Sequence, residues 1–325
     1  IPLELPIWYQ WVCQKEEYEF YNKTLAHQHP HWKDRIMDFY TPWYKKVIKK
    51  FPNISFLKPL YGSSKNVFKL LKEINPDSVL STTLMLLPIF EDYAYALAAL
   101  KLKIPLIGFV PTWDSLTTKT KIWPKPDLMF CWNEWHKKEL VNYHEIPEDK
   151  IKVVGSYSFE QWLKPFKVEQ RDKFCSRHGF NPRYPIVTYL CSSPSIIADE
   201  TEAIKEFAET FKNQQIIVRP HPHNHIKPLG LPNVVLNSTD AYNTYFHSAA
   251  LYGINTSAMI EAMIIGKPVY SININWEYMQ QCIHFKELEP YFRGDGYKNI
   301  KQWLGFQEKL PSELIAETLE NFKKQ

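Results

Sequence analysis

Cysteine is scarce in this chain of 325 residues, and the five present (Cys13, Cys131, Cys175, Cys191, Cys282) are scattered. The number is odd and no C-x-x-C pair occurs, which excludes a disulfide framework and a zinc cluster and suits a reducing cytoplasm. Charge of one sign is hardly in excess. Lys and Arg number 39 against 35 Asp and Glu, a net +4, which excludes the strongly basic footprint of a nucleic-acid partner. Long apolar runs are missing as well. The longest candidate, 94–110, is broken by Lys101, Lys103 and Pro105, short of the roughly 18–20 residues of a membrane span. No secretory leader pattern opens the chain at Ile1, and a segment of a longer, multidomain protein is the expectation. Neither a repeat nor a low-complexity tract is evident.

What is plentiful is apolar and aromatic matter: 45% hydrophobic residues and 15% aromatic, with 11 Trp. That is enough for a core, and the length suits two domains. Helix-period and strand-like segments alternate along the chain, the signature of an α/β fold with parallel sheets. Helices are predicted at 67–74, 91–102, 134–143, 199–211, 241–248 and 312–322. Strands are predicted at 78–82, 105–110, 128–132, 151–154, 186–190, 215–218, 234–236 and 250–253. The linker between a domain 1–160 and a domain 161–325 is placed inside the polar, Pro-containing stretch 156–185, with the last helix packing back on the first domain. Ligands in such folds bind beyond the carboxyl ends of the strands. That singles out the loops 81–88, 110–121, 191–195, 219–225 and 255–257.

The segment 255–272 is the richest. Asn255, Thr256 and Ser257 are N-cap formers, and Gly266 with Pro268 stops the helix before a buried strand. The helix start offers free N–H groups and a partial positive charge to an anion. Ser257 and Glu261 lie four apart, on one face about 6 Å along the axis. The pair suits a nucleotide, with phosphate at Ser257 and ribose hydroxyls at Glu261. The alternative is a plain core helix with Met259, Ile260, Met263 and Ile264 as its stripe.

Arg219-Pro220-His221-Pro222-His223 follows an apolar strand, and its prolines stiffen it. Arg219 suits bidentate phosphate contact, and His221 and His223 can hydrogen-bond phosphate, His221 also serving as an acid. H-x-H-x-H also raises a metal, but no carboxylate or Cys adjoins it, and no metal is expected. In the loop 191–195, Ser192 and Ser193 let a backbone approach a diphosphate. Cys191 or Ser192 as a nucleophile with His221 as base is a lesser alternative, since no G-x-S-x-G elbow surrounds them. In the first half, Trp113 can stack on an acceptor sugar, Asp114 can act as general base for an attacking hydroxyl, and Lys119 can meet an anionic group. Glu91 and Asp92 are rival carboxylates. The basic–aromatic run 43–51 offers contact with an anionic membrane face; His27, His29 and His31 carry no metal pattern.

The order of these motifs resembles the GT-B glycosyltransferases and the non-hydrolysing UDP-GlcNAc 2-epimerases that share their fold, over roughly 75–274. The likeness is carried by Pro76-Asp77-Ser78-Val79-Leu80, Ile104-Pro105-Leu106-Ile107, the stretches 126–132 and 151–156, Arg219-Pro220-His221-Pro222, and Thr256 to Ala262 with Gly266-Lys267-Pro268-Val269. The His-Pro motif is also similar to that of bacterial sialyltransferases and teichoic-acid-type polymerases. The resemblance implies two Rossmann-like domains facing a cleft, with Ser257 on donor phosphate, Glu261 on ribose and His221 on the phosphate side. It further implies a metal-independent reaction without a resident cofactor. Epimerases carry acidic residues after the first two strands; here Ser81-Thr82-Thr83 and Val110-Pro111-Thr112 stand instead. Transfer of a sugar from a nucleotide donor to a surface glycan or glycolipid is therefore expected ahead of epimerisation or polyol-phosphate transfer, and ahead of a non-catalytic binding scaffold.

Overall fold

The computed structural model describes residues 65–82, 84, 90–113, 115–118, 122, 124–194, 197, 199–223, 226–254, 256–272 and 288–322. The run 43–51 and His27, His29 and His31 lie outside them. The chain divides into two compact units, Ile1–Ser158 with Gly305–Gln325, and Phe159–Leu304.

In the first unit four parallel strands, β1 (Val79–Ser81), β2 (Leu106–Phe109), β3 (Leu128–Cys131) and β4 (Ile151–Val153), lie side by side in chain order. Every residue of β2 and β3 is buried, the near-continuous apolar pattern of strands covered on both faces. Helices α1 (Lys65–Ile74) and α2 (Phe90–Leu102) meet through Leu71, Ala98 and Ala99. The short α3 (Ser115–Thr118) and α4 (Glu134–Asn142) follow β2 and β3. Asn133 caps α4 by accepting the His136 N–H at 3.0 Å.

The return of the chain to this unit is built on two glycines. Gly155 (φ +86°) follows β4, and Gly305 (φ +73°) precedes the last helix. A Cβ on Gly155 would lie 2.9 Å from the Gly305 carbonyl oxygen, and one on Gly305 would run into the carbonyl oxygen of Trp132. Both positions therefore require glycine for conformation and for space. The final helix, Pro311–Phe322, then packs Leu314, Ile315, Leu319 and Phe322 against Ile107, Phe109, Leu128, Phe130 and Val154.

The second unit holds five parallel strands: β5 (Ile186–Leu190), β6 (Gln215–Arg219), β7 (Val234–Leu236), β8 (Ala250–Gly253) and β9 (Val269–Ser271). Their spatial order is β7-β6-β5-β8-β9. The chain starts in the middle, runs outward through β6 and β7, then crosses to the far side of β5. The strand order thus reverses between β5 and β8, where open α/β sheets leave a crevice at their carboxyl ends. Arg219, Leu190, Gly253 and Ser271 pair in one row along that edge.

Around this sheet stand α5 (Arg171–Arg177), α6 (Thr201–Thr210), α7 (Ala241–His247), α8 (Ser257–Ile264) and α9 (Ile300–Trp303), making the helix Pro311–Phe322 α10. The two units divide between Ser158 and Phe159, inside the stretch 156–185, and most of that stretch is structured and belongs to the second unit. A 3-10 helix spans Tyr157–Leu163, and α5 buries Phe174 and Cys175 against Ile186 and Ile217. Polar groups anchor the stretch. Arg171 donates to the carbonyls of Pro182 (2.9 Å), His247 (3.0 Å) and Tyr184 (2.7 Å). Arg177 bridges Glu169 and Asp240, each at 2.7 Å. Among the described residues no helix is long and apolar enough to cross a membrane.

Candidate functional site

The carboxyl edge of the second sheet gathers most of the residues singled out from sequence. At the reversal point, β8 ends at Gly253 and α8 begins at Ser257 after the cap Thr256, whose hydroxyl accepts the Ala258 N–H at 3.4 Å. Gly253 allows close packing there; an added Cβ would stand 3.0 Å from Met259. Ser257 is exposed, as the first residue of the positive end of α8. Met259, Ile260, Ala262, Met263 and Ile264 are buried, so the helix is both a core element and the presenter of its own start.

One turn on, Glu261 is partly buried and accepts a hydrogen bond from the Tyr245 hydroxyl at 3.0 Å. Burial pushes the Glu261 carboxyl above its ordinary range, against the opposing pull of the Tyr245 hydrogen bond and the Arg219 charge. Tyr245 comes from α7, is fully buried, and lies under the Arg219 guanidinium, 5.7 Å from its ring centre. Arg219 is the last residue of β6, and its Nη1 is buried with no hydrogen-bond partner among the described residues. Tyr245 had no signal of its own: it is one aromatic among many, and only the fold brings α7 beneath β6 and α8.

Beyond β6, His221 is half-buried, and its Nδ1 accepts the His223 N–H at 3.2 Å. Burial, then the neighbouring His223, holds its pKa below the ordinary value. The ring is therefore neutral at pH 7, with Nδ1 an acceptor and Nε2–H left as the donor. His223 itself is exposed.

The loop after β5 is arranged differently from the sequence expectation. Ser192 is fully buried, and its N–H donates to Glu200 Oε2 at 2.9 Å instead of standing open to a ligand. Ser193 is half-buried. Glu200, just ahead of α6, is 1% exposed and also accepts from the Tyr189 hydroxyl at 3.1 Å. Burial is the chief cause that lifts its carboxyl to about 7, against the hydrogen bonds from Tyr189, Ser192 and Cys191. Sequence reading passed over Glu200 as an ordinary helix-start carboxylate. Cys191 is buried and its thiol is raised far above the ordinary range, mainly by burial, which removes it as a nucleophile.

Glu200 also sets a pH dependence of stability. Its folded pKa of about 7 lies above the ordinary 4.5, so its contribution is full below about 4.5 and is lost as pH rises through about 7. Melting curves from pH 5 to 8.5 are expected to fall more steeply for the native protein than for Glu200→Gln. Equal slopes would show that Glu200 does not titrate in this window.

In the first unit Trp113 corrects its expectation. It is 9% exposed, and its carbonyl lies 3.1 Å from His136 Nε2. Its ring belongs to the core and cannot serve as an open stacking platform. Asp114, Lys119 and Asn255 lie outside the described residues, as do the side chains of Glu91 and Asp92. Among the described residues no group of three His, Cys, Asp or Glu side chains could hold a metal ion.

Two α/β units, each on a parallel sheet, are a fold also seen in solved UDP-GlcNAc 2-epimerases. The solved structures that share it include UDP-GlcNAc 2-epimerase from Neisseria meningitidis bound to UDP-GlcNAc, with 18% identity, 79% of each chain covered and a TM-score of 0.52. They also include Methanocaldococcus jannaschii UDP-GlcNAc 2-epimerase in complex with UDP-GlcNAc and UDP, with 16% identity, 79% of each chain covered and a TM-score of 0.51. At these identities the likeness is one of fold. No protein-family model matches the sequence, and no curated protein matches it.

Proposed function

We propose that the chain is a GT-B-type glycosyltransferase that binds a nucleotide sugar on its second unit and passes the sugar to a glycan or glycolipid hydroxyl. Phosphate meets the start of α8 at Thr256 and Ser257, Arg219 supplies the cation, and neutral His221 donates through Nε2–H. Glu261 faces the ribose with the carboxylate oxygen not engaged by Tyr245. These donors stabilise the charge that grows on a departing nucleotide, so the reaction needs no metal in this reading.

The observation that carries the proposal is Arg219. A buried guanidinium nitrogen without a partner costs about 1–3 kcal/mol, and a phosphate oxygen is its natural partner. It stands on the same sheet edge as the open helix start. A uridine nucleotide is the first candidate because both similar solved structures hold UDP-GlcNAc.

Thermal-shift titration with UDP, CDP, CMP, GDP and CDP-glycerol tests this, since a ligand of the native form alone raises the melting point. UDP is expected to give the largest rise. Ser257→Ala and Glu261→Ala are each expected to weaken UDP by about three- to tenfold, one ordinary hydrogen bond. Unchanged affinity in both would remove the donor site, and a shift by CDP-glycerol alone would favour polyol-phosphate transfer. The similar structures also favour a second reading, epimerisation. Incubation with UDP-GlcNAc alone decides it: formation of the 2-epimer without acceptor would replace transfer.

A further inference from the structure

Glu200 has no place in the chemistry proposed so far, yet it is the most enclosed carboxylate near the sheet edge. It reaches both β5, through the Tyr189 hydroxyl, and the loop that follows, through the Ser192 N–H. The Cys191 side chain interacts with the same carboxylate and with the His221 backbone N–H, and its own N–H donates to the Arg219 carbonyl at 3.0 Å. Glu200 thus holds the loop after β5, which Cys191 joins to the end of β6. Those loops carry Ser193, Arg219 and His221.

We infer that Glu200 is a positioning residue for the nucleotide's phosphates: by gripping Tyr189, Cys191 and Ser192 it fixes the two loops that flank the anion. The inference rests on the nucleotide reading above. Glu200 does not touch the ligand; it acts through the backbone of Ser192 and, by way of Cys191, that of His221.

The chemistry gives this role a pH signature. An ionised carboxylate accepts the Tyr189 bond on one oxygen and the Ser192 bond on the other, whereas the protonated acid must turn one oxygen into a donor and weakens one of them. The groups facing it are Tyr189 from β5 and Cys191 and Ser192 from the loop; among the described residues no cationic side chain perturbs it. Its raised pKa places the change within reach of ordinary buffers. Gln at this position holds the neutral hydrogen-bonding pattern at every pH.

The test is UDP affinity from pH 5.5 to 8.5 for the native protein and Glu200→Gln. Because UDP and His221 titrate alike in both, the ratio of the two dissociation constants isolates Glu200. The variant is expected to bind about five- to tenfold more weakly at pH 8.5, the ratio between a charged and a neutral acceptor, and to match the native protein at pH 5.5. A ratio that stays constant across the range, with UDP still bound, overturns the inference and leaves the nucleotide reading standing. Failure of UDP to bind the native protein at any pH overturns the nucleotide reading and this inference with it. Tyr189→Phe provides a second measurement should Glu200→Gln not fold. Loss of one donor to the carboxylate moves the native binding step to higher pH, and an unmoved step overturns the inference.

Discussion

Arg219→Met is expected to weaken UDP binding by about a hundredfold, two charge-assisted hydrogen bonds at ordinary strength, while the unliganded protein melts no lower than the native one. The two effects part because Arg219 is poorly satisfied without ligand. Its Nη1 is buried with no partner among the described residues, a cost that methionine removes. Against that stand its contact with the Tyr245 ring, worth about 0.5–2 kcal/mol, its interaction with the Tyr245 hydroxyl and its charge facing Glu261. A thioether on the ring restores part of the first, and Glu261, already pushed toward its neutral acid by burial, loses little with the charge. A residue kept at the expense of stability is the mark of a functional position. Isothermal titration with UDP and a melting curve on the same sample give both numbers. A lower melting point with unchanged affinity would make Arg219 a structural strut and move the phosphate site elsewhere. Arg219→Lys keeps the charge but not the fork, so an intermediate loss is expected.

Gly305→Ala is expected to destabilise the first unit by about 3 kcal/mol or more, combining a left-handed backbone penalty with a steric clash. The φ of +73° is costly for any residue with a Cβ, and that Cβ would collide with the Trp132 carbonyl. Relief requires the chain to move away from β3, and α10 follows with its apolar face of Leu314, Ile315, Leu319 and Phe322. Hydrogen exchange should therefore show early loss of protection in α10 and in β2–β4. UDP affinity should be unchanged, since the residues proposed to bind it belong to the other unit. A variant that melts within about one degree of the native protein would show that the backbone accommodates the methyl group cheaply.

Much of the architecture was readable because parallel α/β units advertise themselves locally. Strands β5, β7 and β8 follow from short apolar runs bounded by turn residues, and α8 follows from its Thr256 cap and its Gly266 and Pro268 stop. What escaped depends on contacts between distant segments. The helices within 156–185 escaped because charged side chains, Arg171 and Arg177 above all, hold the stretch by reaching carbonyls and carboxylates elsewhere. Trp113 looks like an exposed ring because loops after strands usually face solvent, whereas here the segment tucks inward beside His136. At the candidate site, the first line of Arg219, His221, Ser257 and Glu261 came from residue type and spacing. The supporting line did not. Tyr245 and Glu200 sit on other elements, and only the strand order places them beneath the edge.

The meeting of Gly155 and Gly305 has an architectural meaning. The chain leaves the first unit after Gly155 and re-enters it at Gly305, so residues 159–304 form an insertion between two segments of that unit. Bridging the two glycines with a short peptide should yield the first unit as an uninterrupted chain, and expressing the insertion alone should give the five-stranded unit by itself. Such a division lets one unit be exchanged without redesign of the other.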